Sequence, residues 1–484
     1  MKLEKILKGL EGVEIIGNKD IEISNISNDS RKIGADSMFI SIKGFERDGN
    51  EYIQGSIEKG ATAIVAEKDI DLKKYNIPEN VTMVLVENSR KALAICSCNF
   101  YGNPSKKFKL IGITGTKGKT TTTYMLKSIL QKQGKKVGLI GTIATCINDE
   151  IISESARTTP ESIELQKIFA DMLEKGVDTV IMEVSSQGLK LDRVTGCDFD
   201  IGVFTNLSED HISPKEHPDM EDYFNSKLKL FDLCKTAFIN IDDEAGKRVI
   251  ESNKCKMKTY GIKENADLKA ENITITNSYT EFTIGEEEYK AYIPGKFSVY
   301  NCLSAISVAK ELGASYENIK EALQSVTVPG RSELVPNNKE LTIMIDYAHS
   351  PESLENILSA VKAYTKGRLI SLFGCGGDRD TGKRPKMGEI SGNIADYTII
   401  TSDNPRTENP EEIVKQIEIG IQKTNGKYTC IVDRVEAIKH AIEIANKDDI
   451  IVLAGKGHEP YQEINGIKHP FDERIIVKEI IEKM

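Results

Sequence analysis

One segment restricts the possible folds more than any other. A strand-like run, Lys109–Thr114 (KLIGIT), meets the glycine-rich turn Gly115-Thr116-Lys117-Gly118-Lys119-Thr120-Thr121. In the stretch that follows, Thr120–Gly134, Met125, Leu126, Ile129 and Leu130 recur on one helical face, and Gly134 is placed to end the helix. A second apolar run, KVGLIG, begins almost at once. Two strands joined through a helix lie parallel, so the chain is expected to be an α/β protein with a parallel sheet. Successive N–H groups of such a turn cradle phosphates. Lys119 can reach the β- and γ-phosphates, and Thr120 can ligate Mg²⁺. The usual phosphate loop has a glycine six residues before its lysine; here that position is Ile113, so the loop is a variant. The alternative is an ordinary glycine turn.

With 484 residues the chain calls for two to four domains. Its net charge is −10 and it has no long basic run, which argues against nucleic acid as a partner. Anionic ligands would have to be held by localised cations and backbone N–H groups. Leu3, Ile6, Leu7 and Leu10 recur at helical spacing with lysines between them, which predicts an amphipathic N-terminal helix and not an export signal. No run is long enough to insert in a membrane. The nine cysteines include no CxxC pair, so free thiols, a cytoplasmic location and a monomer are expected.

The chain falls into three blocks. The first, to about Pro104, mixes helical stretches with strands such as Met38–Ile42 and Ala63–Glu67. The second opens at the phosphate loop, continues through the strands Asp178–Val184 and Asp200–Asn206, and runs to about Val328–Arg331. In the third, the strands LISLF, YTIIT and IIVLA each run into a polar loop: GCGGDRD, SDNPR and GKGHE. Open α/β sheets bind ligands at the carboxyl ends of their strands, so a second ligand site is expected there.

Several residues stand out. Glu183 lies in a strongly apolar strand, where a carboxylate is costly unless paired or metal-bound, so it is a candidate Mg²⁺ ligand or else an inert edge residue. His211 follows a strand and is as open to a structural role. Lys227, in YFNSKLKLF, has the pattern of a solvated helix lysine. Asp346 and His349 follow the strand LTIMI and would suit ribose and adenine, or a helix N-cap. Arg379, Arg384 and Arg406, in or after the third-block loops, have the shape to grip a carboxylate or to form surface ion pairs.

GITGTKGKT, MEVSS, NLSEDH, YNCLSA, VPGR, DYAHSP, GCGGDRD and DNPR occur in this order and together resemble the Mur ligases, across essentially the whole chain. The resemblance implies a substrate-binding domain for a UDP-muramoyl group at 1–106, a central ATPase domain at 107–331 and a Rossmann-like amino-acid-binding domain at 332–484. It implies that ATP, with Mg²⁺, phosphorylates UDP-N-acetylmuramoyl-L-alanyl-D-glutamate and that an amine displaces the phosphate. By resemblance, Ser30, Thr158, Thr159, Ser185 and Arg193 contact the UDP-muramoyl dipeptide. Asn301, Arg331, Asp346 and His349 join Gly115–Thr121 in the ATP set. Glu183, His211 and a carbamylated Lys227 join Thr120 around the metal, and with Lys119 form the catalytic set. Arg379, Asp403, Asn404, Pro405, Arg406, Gly455 and Glu459 bind the incoming amino acid. Leu191 departs from relatives that carry glutamine there.

The amino acid is expected to be meso-diaminopimelate. Pro405 restricts Asn404, and Arg406 can hold a distal carboxylate that lysine lacks, while Asp403 and Asn404 accept bonds from the distal ammonium. The alternative for Arg406 is an ion pair with Glu408. Competing readings of the whole are an L-lysine-adding homologue, a folylpolyglutamate-synthase-like ligase, which the first block disfavours, and an ATP-driven switch, which the arginine loops disfavour.

Overall fold

The computed structural model describes residues 1–44, 47–210, 212–213, 216–252 and 254–484. It forms two compact units, Met1–Leu268 with Ser304–Ala314, and Lys269–Leu303 with Ser315–Met484. No helix among the described residues is long and apolar enough to cross a membrane.

The first unit contains two sheets. The smaller runs Glu14–Ile16, Thr82–Val86, Ala61–Glu67, Ser37–Ile40, Asn25–Ser27, parallel except at its Glu14–Ile16 edge. Leu3, Ile6 and Leu7 are buried in its core as expected, but the N-terminal helix is only Leu3–Ile6. Gly9, at φ +85°, turns the chain before Leu10 can extend that face.

In the larger sheet the phosphate-loop strand, Lys109–Thr114, is central, between Phe199–Phe204 and Thr179–Glu183. Val137–Ile140 lies beyond Thr179–Glu183, also parallel. The crossover from Lys109–Thr114 to Val137–Ile140 therefore skips a position, and later strands fill both sides. That reversal is where an open α/β sheet leaves a crevice at its strands' carboxyl ends. The crossover helix, Lys119–Lys132, buries Met125, Leu126, Ile129 and Leu130 completely. Gly134, at φ +82°, ends it: Lys135 N donates to Leu130 O at 3.0 Å and Gly134 N to Gln131 O at 2.9 Å, pairing carbonyls the helix leaves open.

The second unit has an antiparallel three-stranded sheet, Glu271–Ile275, Thr280–Ile284 and Glu287–Ala291. Its main sheet is ordered Glu333–Leu334, Thr342–Asp346, Ile450–Ala454, Leu369–Phe373, Tyr397–Ile400, Tyr428–Cys430, parallel from Thr342–Asp346 onward. The strands expected before the three polar loops are Leu369–Phe373, Tyr397–Ile400 and Ile450–Ala454, all buried except for the half-buried Tyr397. Their loops therefore leave one edge of one sheet. A hairpin, Tyr461–Ile464 with Ile467–Pro470, follows the last loop. All nine cysteines are free.

Candidate functional site

In the first unit, the glycine turn is fixed from below by the end of the neighbouring strand. Thr205 Oγ1 donates to Lys117 O at 2.7 Å, Asn206 Oδ1 accepts Lys117 N at 2.9 Å, and Asn206 O accepts Thr116 N at 2.9 Å. Gly115 is required there: its φ is +145°, and a Cβ would stand 1.9 Å from Thr205 Oγ1. Gly118, at φ +87°, begins the Lys119–Lys132 helix without a side-chain cap, so the first N–H groups of that helix face the turn. Lys119 Nζ arches over the turn to Gly115 O at 2.8 Å and Thr116 O at 3.0 Å. Thr116 Oγ1 lies 3.1 Å from the Tyr223 hydroxyl. Thr121 is buried in the first turn.

Glu183 is not an edge residue. It ends an interior strand and is 1% exposed. Its carboxylate accepts from Thr120 Oγ1 at 3.0 Å, Thr142 Oγ1 at 3.0 Å and Thr142 N at 2.9 Å. The pair Thr120 hydroxyl and Glu183 carboxylate is a hard oxygen donor set beside a phosphate loop, which fits Mg²⁺. His211, expected in this group, lies outside the described residues.

Lys227 overturns the pattern-based expectation of a solvated lysine. It is 1% exposed, on the buried side of the helix Met220–Leu228. Its Nζ donates to Gly115 O at 3.0 Å and lies 4.3 Å from the centre of the Tyr223 ring. Burial, and then the charge of Lys119, push its amine well below the usual lysine range, with Asp210 acting the other way. The Lys227 amine thus points at the phosphate loop, and its surroundings favour the unprotonated form more than water does. Only its tertiary surroundings reveal this.

The residues assigned to the muramoyl dipeptide, apart from Ser30, gather beyond Glu183. Thr158 Oγ1 lies 3.1 Å from Thr142 Oγ1, and Thr159 Oγ1 lies 3.1 Å from Ser185 Oγ and donates to Glu183 O at 3.0 Å. Arg193 donates to Thr159 O at 3.1 Å and pairs with Glu161 at 2.8 Å, while its buried Nε has no partner among the described residues. Ser185 caps the helix Ser186–Lys190, which ends at Leu191. Ser30 stands instead in the N-terminal sheet region, where its carbonyl accepts from Lys59 at 2.9 Å.

The remaining ATP candidates belong to the second unit, with Asn301 on the helix Lys296–Glu311. Asp346 ends its strand and accepts from Ser332 N at 2.8 Å and Ala348 N at 3.0 Å. The segment does lead into a helix N-terminus, but Ser350, not Asp346 or His349, is the N-cap of Pro351–Lys362. Burial raises the Asp346 carboxyl, and Arg331 opposes that shift. The Arg331 guanidinium lies 5.1 Å from the Tyr347 ring, and His349 packs on that ring at 4.6 Å. Desolvation by the surrounding protein lowers the His349 imidazole from its usual range, although the ring keeps solvent contact.

The amino-acid candidates converge on the loops of the second unit. Asn404 Nδ2 donates to Glu459 at 2.8 Å. Gly455 must be glycine, since a Cβ would meet Asp403 Oδ2 at 2.6 Å. Arg406 does not pair with Glu408. Its Nε reaches Glu463 of the hairpin at 3.1 Å, and Nη1 reaches Gly377 O at 2.7 Å. Glu408 is taken by the fully buried Arg384 at 2.8 Å, so Arg384 is a structural ion pair that braces the loop. Pro405 is buried beneath Gly377, and Arg379 is exposed. Two charged residues of this region were not singled out from sequence. Lys456 is 0% exposed among Asp403, Asn404 and Glu459. Arg434, paired with Glu473 at 2.8 Å, donates to Ser402 O and Ala454 O at two strand ends.

Three Mur ligase family models match consecutive parts of the chain: the catalytic domain over residues 22–101, the middle domain over 113–309 and the glutamate ligase domain over 330–457. The UDP-N-acetylmuramoyl-L-alanyl-D-glutamate–2,6-diaminopimelate ligase of Caldanaerobacter subterraneus is 51% identical, over 99% of this chain and 99% of that protein. An enzyme of the same name from Clostridium acetobutylicum is 49% identical over 100% of both. A solved structure of such a ligase superposes with a TM-score of 0.73 at 30% identity, covering 100% of this chain and 99% of the other. With full-length identity at this level, and with a phosphate loop, a buried Glu183 and a buried Lys227 assembled on one sheet edge, the chain belongs to the Mur ligase family of ATP-dependent, amide-forming enzymes.

Proposed function

We propose that the chain joins meso-diaminopimelate to the γ-carboxyl of UDP-N-acetylmuramoyl-L-alanyl-D-glutamate, with ATP converted to ADP and phosphate. The observation that carries this is the group around Glu183. A phosphate loop with Lys119 over it, the Thr120–Glu183 oxygen pair, and the Thr159–Ser185–Arg193 cluster with an unpartnered buried Nε stand side by side. A phosphate site thus adjoins a site for an anionic acceptor, which is what phosphorylation of a carboxylate needs.

The chemistry follows from these groups. A γ-carboxylate oxygen attacks the terminal phosphorus of ATP, ADP leaves, and an acyl phosphate forms. Arg193 and the Thr158, Thr159 and Ser185 hydroxyls hold the acceptor, and Lys119 balances charge on the transferring group. Mg²⁺, held by Thr120 and Glu183 with His211 and the carbamate of Lys227, would supply further neutralisation of phosphate charge. The Lys227 amine, in its unprotonated form, would add CO₂ and lose a proton to give that carbamate. An amine of diaminopimelate then attacks the acyl carbon, phosphate leaves with the C–O bond electrons, the nitrogen gives up one proton that departs with the phosphate or solvent, and the amide remains. Positioning replaces a bimolecular encounter. Asn301, Arg331, Asp346 and His349 take the nucleoside of ATP, Ser30 contacts the uridine nucleotide, and Arg379, Asp403, Asn404, Pro405, Arg406, Gly455 and Glu459 take diaminopimelate. We place domain boundaries near residues 106 and 331, and the enzyme in the cytoplasm as a monomer.

Phosphate release, followed with ATP alone, with the UDP-linked dipeptide, and with dipeptide plus each amino acid, tests this. Release should require both the dipeptide and diaminopimelate. Release driven by ATP alone, or by a folate substrate, would contradict the reading.

A further inference from the structure

Lys456 is a fully buried cation that no step above uses. Its Nζ lies 2.9 Å from Asn404 Oδ1, 3.4 Å from Asp403 Oδ1 and 3.6 Å from Glu459 Oε2. The rings of Tyr461 and Phe471 close the other sides at 5.9 and 5.7 Å. A buried ammonium needs such partners.

Two consequences follow. The first concerns Asn404. Its Oδ1 accepts from both Lys456 and Glu463 N at 2.9 Å, and its Nδ2 donates to Glu459. A carbonyl oxygen has two lone pairs, so Asn404 Oδ1 has no capacity left for a substrate ammonium. Asn404 is fixed in orientation and ties the 401–406 loop to the hairpin. The second concerns charge. Asp403 and Glu459 bring two carboxylates to one ammonium. Burial raises the Glu459 carboxyl, and Lys456 opposes that shift. With both carboxylates ionised the cluster is one positive charge short of neutrality, and the neighbouring Arg406–Glu463 pair is neutral in itself. Tyr347, whose hydroxyl burial pushes up to about 12, faces both carboxylates, and His349, lowered from its usual range, faces Asp403.

We propose that Lys456 is the positioning cation of the amino-acid site: it orients Asn404 and sets the Asp403–Glu459 pair one charge short, so that the site accepts exactly one further ammonium, from the substrate. This rests on the diaminopimelate reading above. Asp403 and Glu459 are then the acceptors of that ammonium, and Asn404 lines the site in a fixed orientation without accepting from it.

The test uses steady-state kinetics of the full enzyme. In Lys456→Met the two carboxylates lose their counter-charge, and Asn404 loses the donor that orients it. KM for diaminopimelate should rise about a hundredfold, while KM for ATP and for the dipeptide stay within about twofold. kcat/KM for diaminopimelate should gain a rise with pH that the native profile lacks, because loss of the ammonium raises the facing carboxyl further. Lys456→Arg, which keeps the charge, should restore the native profile. The double variant Lys456→Met/Glu459→Gln returns the cluster to one negative charge. It removes the carboxylate repulsion that could unfold the single variant, and should use diaminopimelate better than either single variant. Losses shared equally by all three substrates, an unchanged pH profile, or a double variant worse than both singles would overturn the proposal. Native enzyme that does not ligate diaminopimelate would instead remove the functional reading beneath it.

Discussion

Arg406→Ala separates substrate recognition from folding more cleanly than any other change. The native side chain makes an ion pair with Glu463 at 3.1 Å and a bond to Gly377 O at 2.7 Å. The pair is 21% and 27% exposed, so solvent screens it and its loss costs at most about 1 kcal/mol. The bond to Gly377 adds about 1 kcal/mol. Arg406 sits at φ +51°, a strained conformation that alanine shares, so the backbone contributes little to the difference. Stability should therefore fall by about 2 kcal/mol or less, measured by urea unfolding. The substrate effect is larger. A diaminopimelate carboxylate bound by this guanidinium would be left buried and unpaired, which costs about 3 kcal/mol, or on the order of 10²-fold in kcat/KM. L-Lysine has no carboxylate there and should change little. A native preference for diaminopimelate of roughly 10³ should therefore shrink to about tenfold in the variant. Parallel loss with both amino acids, or an unchanged ratio, would refute the claim that this loop reads the distal carboxylate.

Other changes probe the remaining groups. Lys119→Ala should lower kcat by on the order of 10²-fold or more with the urea midpoint unchanged, because its bonds to Gly115 O and Thr116 O lie in a loop. Gly115→Ala should abolish ATP-dependent phosphate release, since its Cβ has no room beside Thr205. Lys227→Met should be nearly inactive, with partial rescue by a small carboxylate. In CO₂-free buffer it should be at least as stable as native near neutral pH, because it removes a buried amine whose lowered titration makes the native fold gain stability as pH rises toward 10.5; a marked loss of stability would refute this. Arg384 holds Glu408 at about 2, below the usual carboxylate range. That stabilisation is complete above about pH 4.5 and fades as pH falls toward 2, so Arg384→Met should flatten the loss of urea resistance between about pH 5 and pH 3.

The sequence revealed what depends on local pattern. The strand, turn and helix of the phosphate loop read directly, because helical spacing and Gly134 are both local signals. The three loops of the second unit were equally visible as polar segments after apolar strands. Groups whose meaning is set by distant neighbours stayed hidden. Lys227 has a solvated pattern, and only Tyr223 and the turn at Gly115 make it a buried amine. Lys456 looked like a loop lysine until the 401–406 and 455–459 loops closed around it. The Arg406 partner proved to be Glu463, not Glu408, because the hairpin folds back to Arg406 while Arg384 reaches Glu408. The N-terminal helix was overextended because apolar spacing outweighed the stop at Gly9.

The central claim is that the γ-carboxylate of the dipeptide is phosphorylated by ATP before the amine arrives. Dipeptide labelled with ¹⁸O in that carboxylate, incubated with ATP, Mg²⁺ and diaminopimelate, tests it in one measurement. One carboxylate oxygen must leave with the phosphate, so the released phosphate should carry a single ¹⁸O for each amide formed, and the product mass should show one diaminopimelate added. Phosphate without the label, or labelled phosphate released without an amide product, would contradict the account.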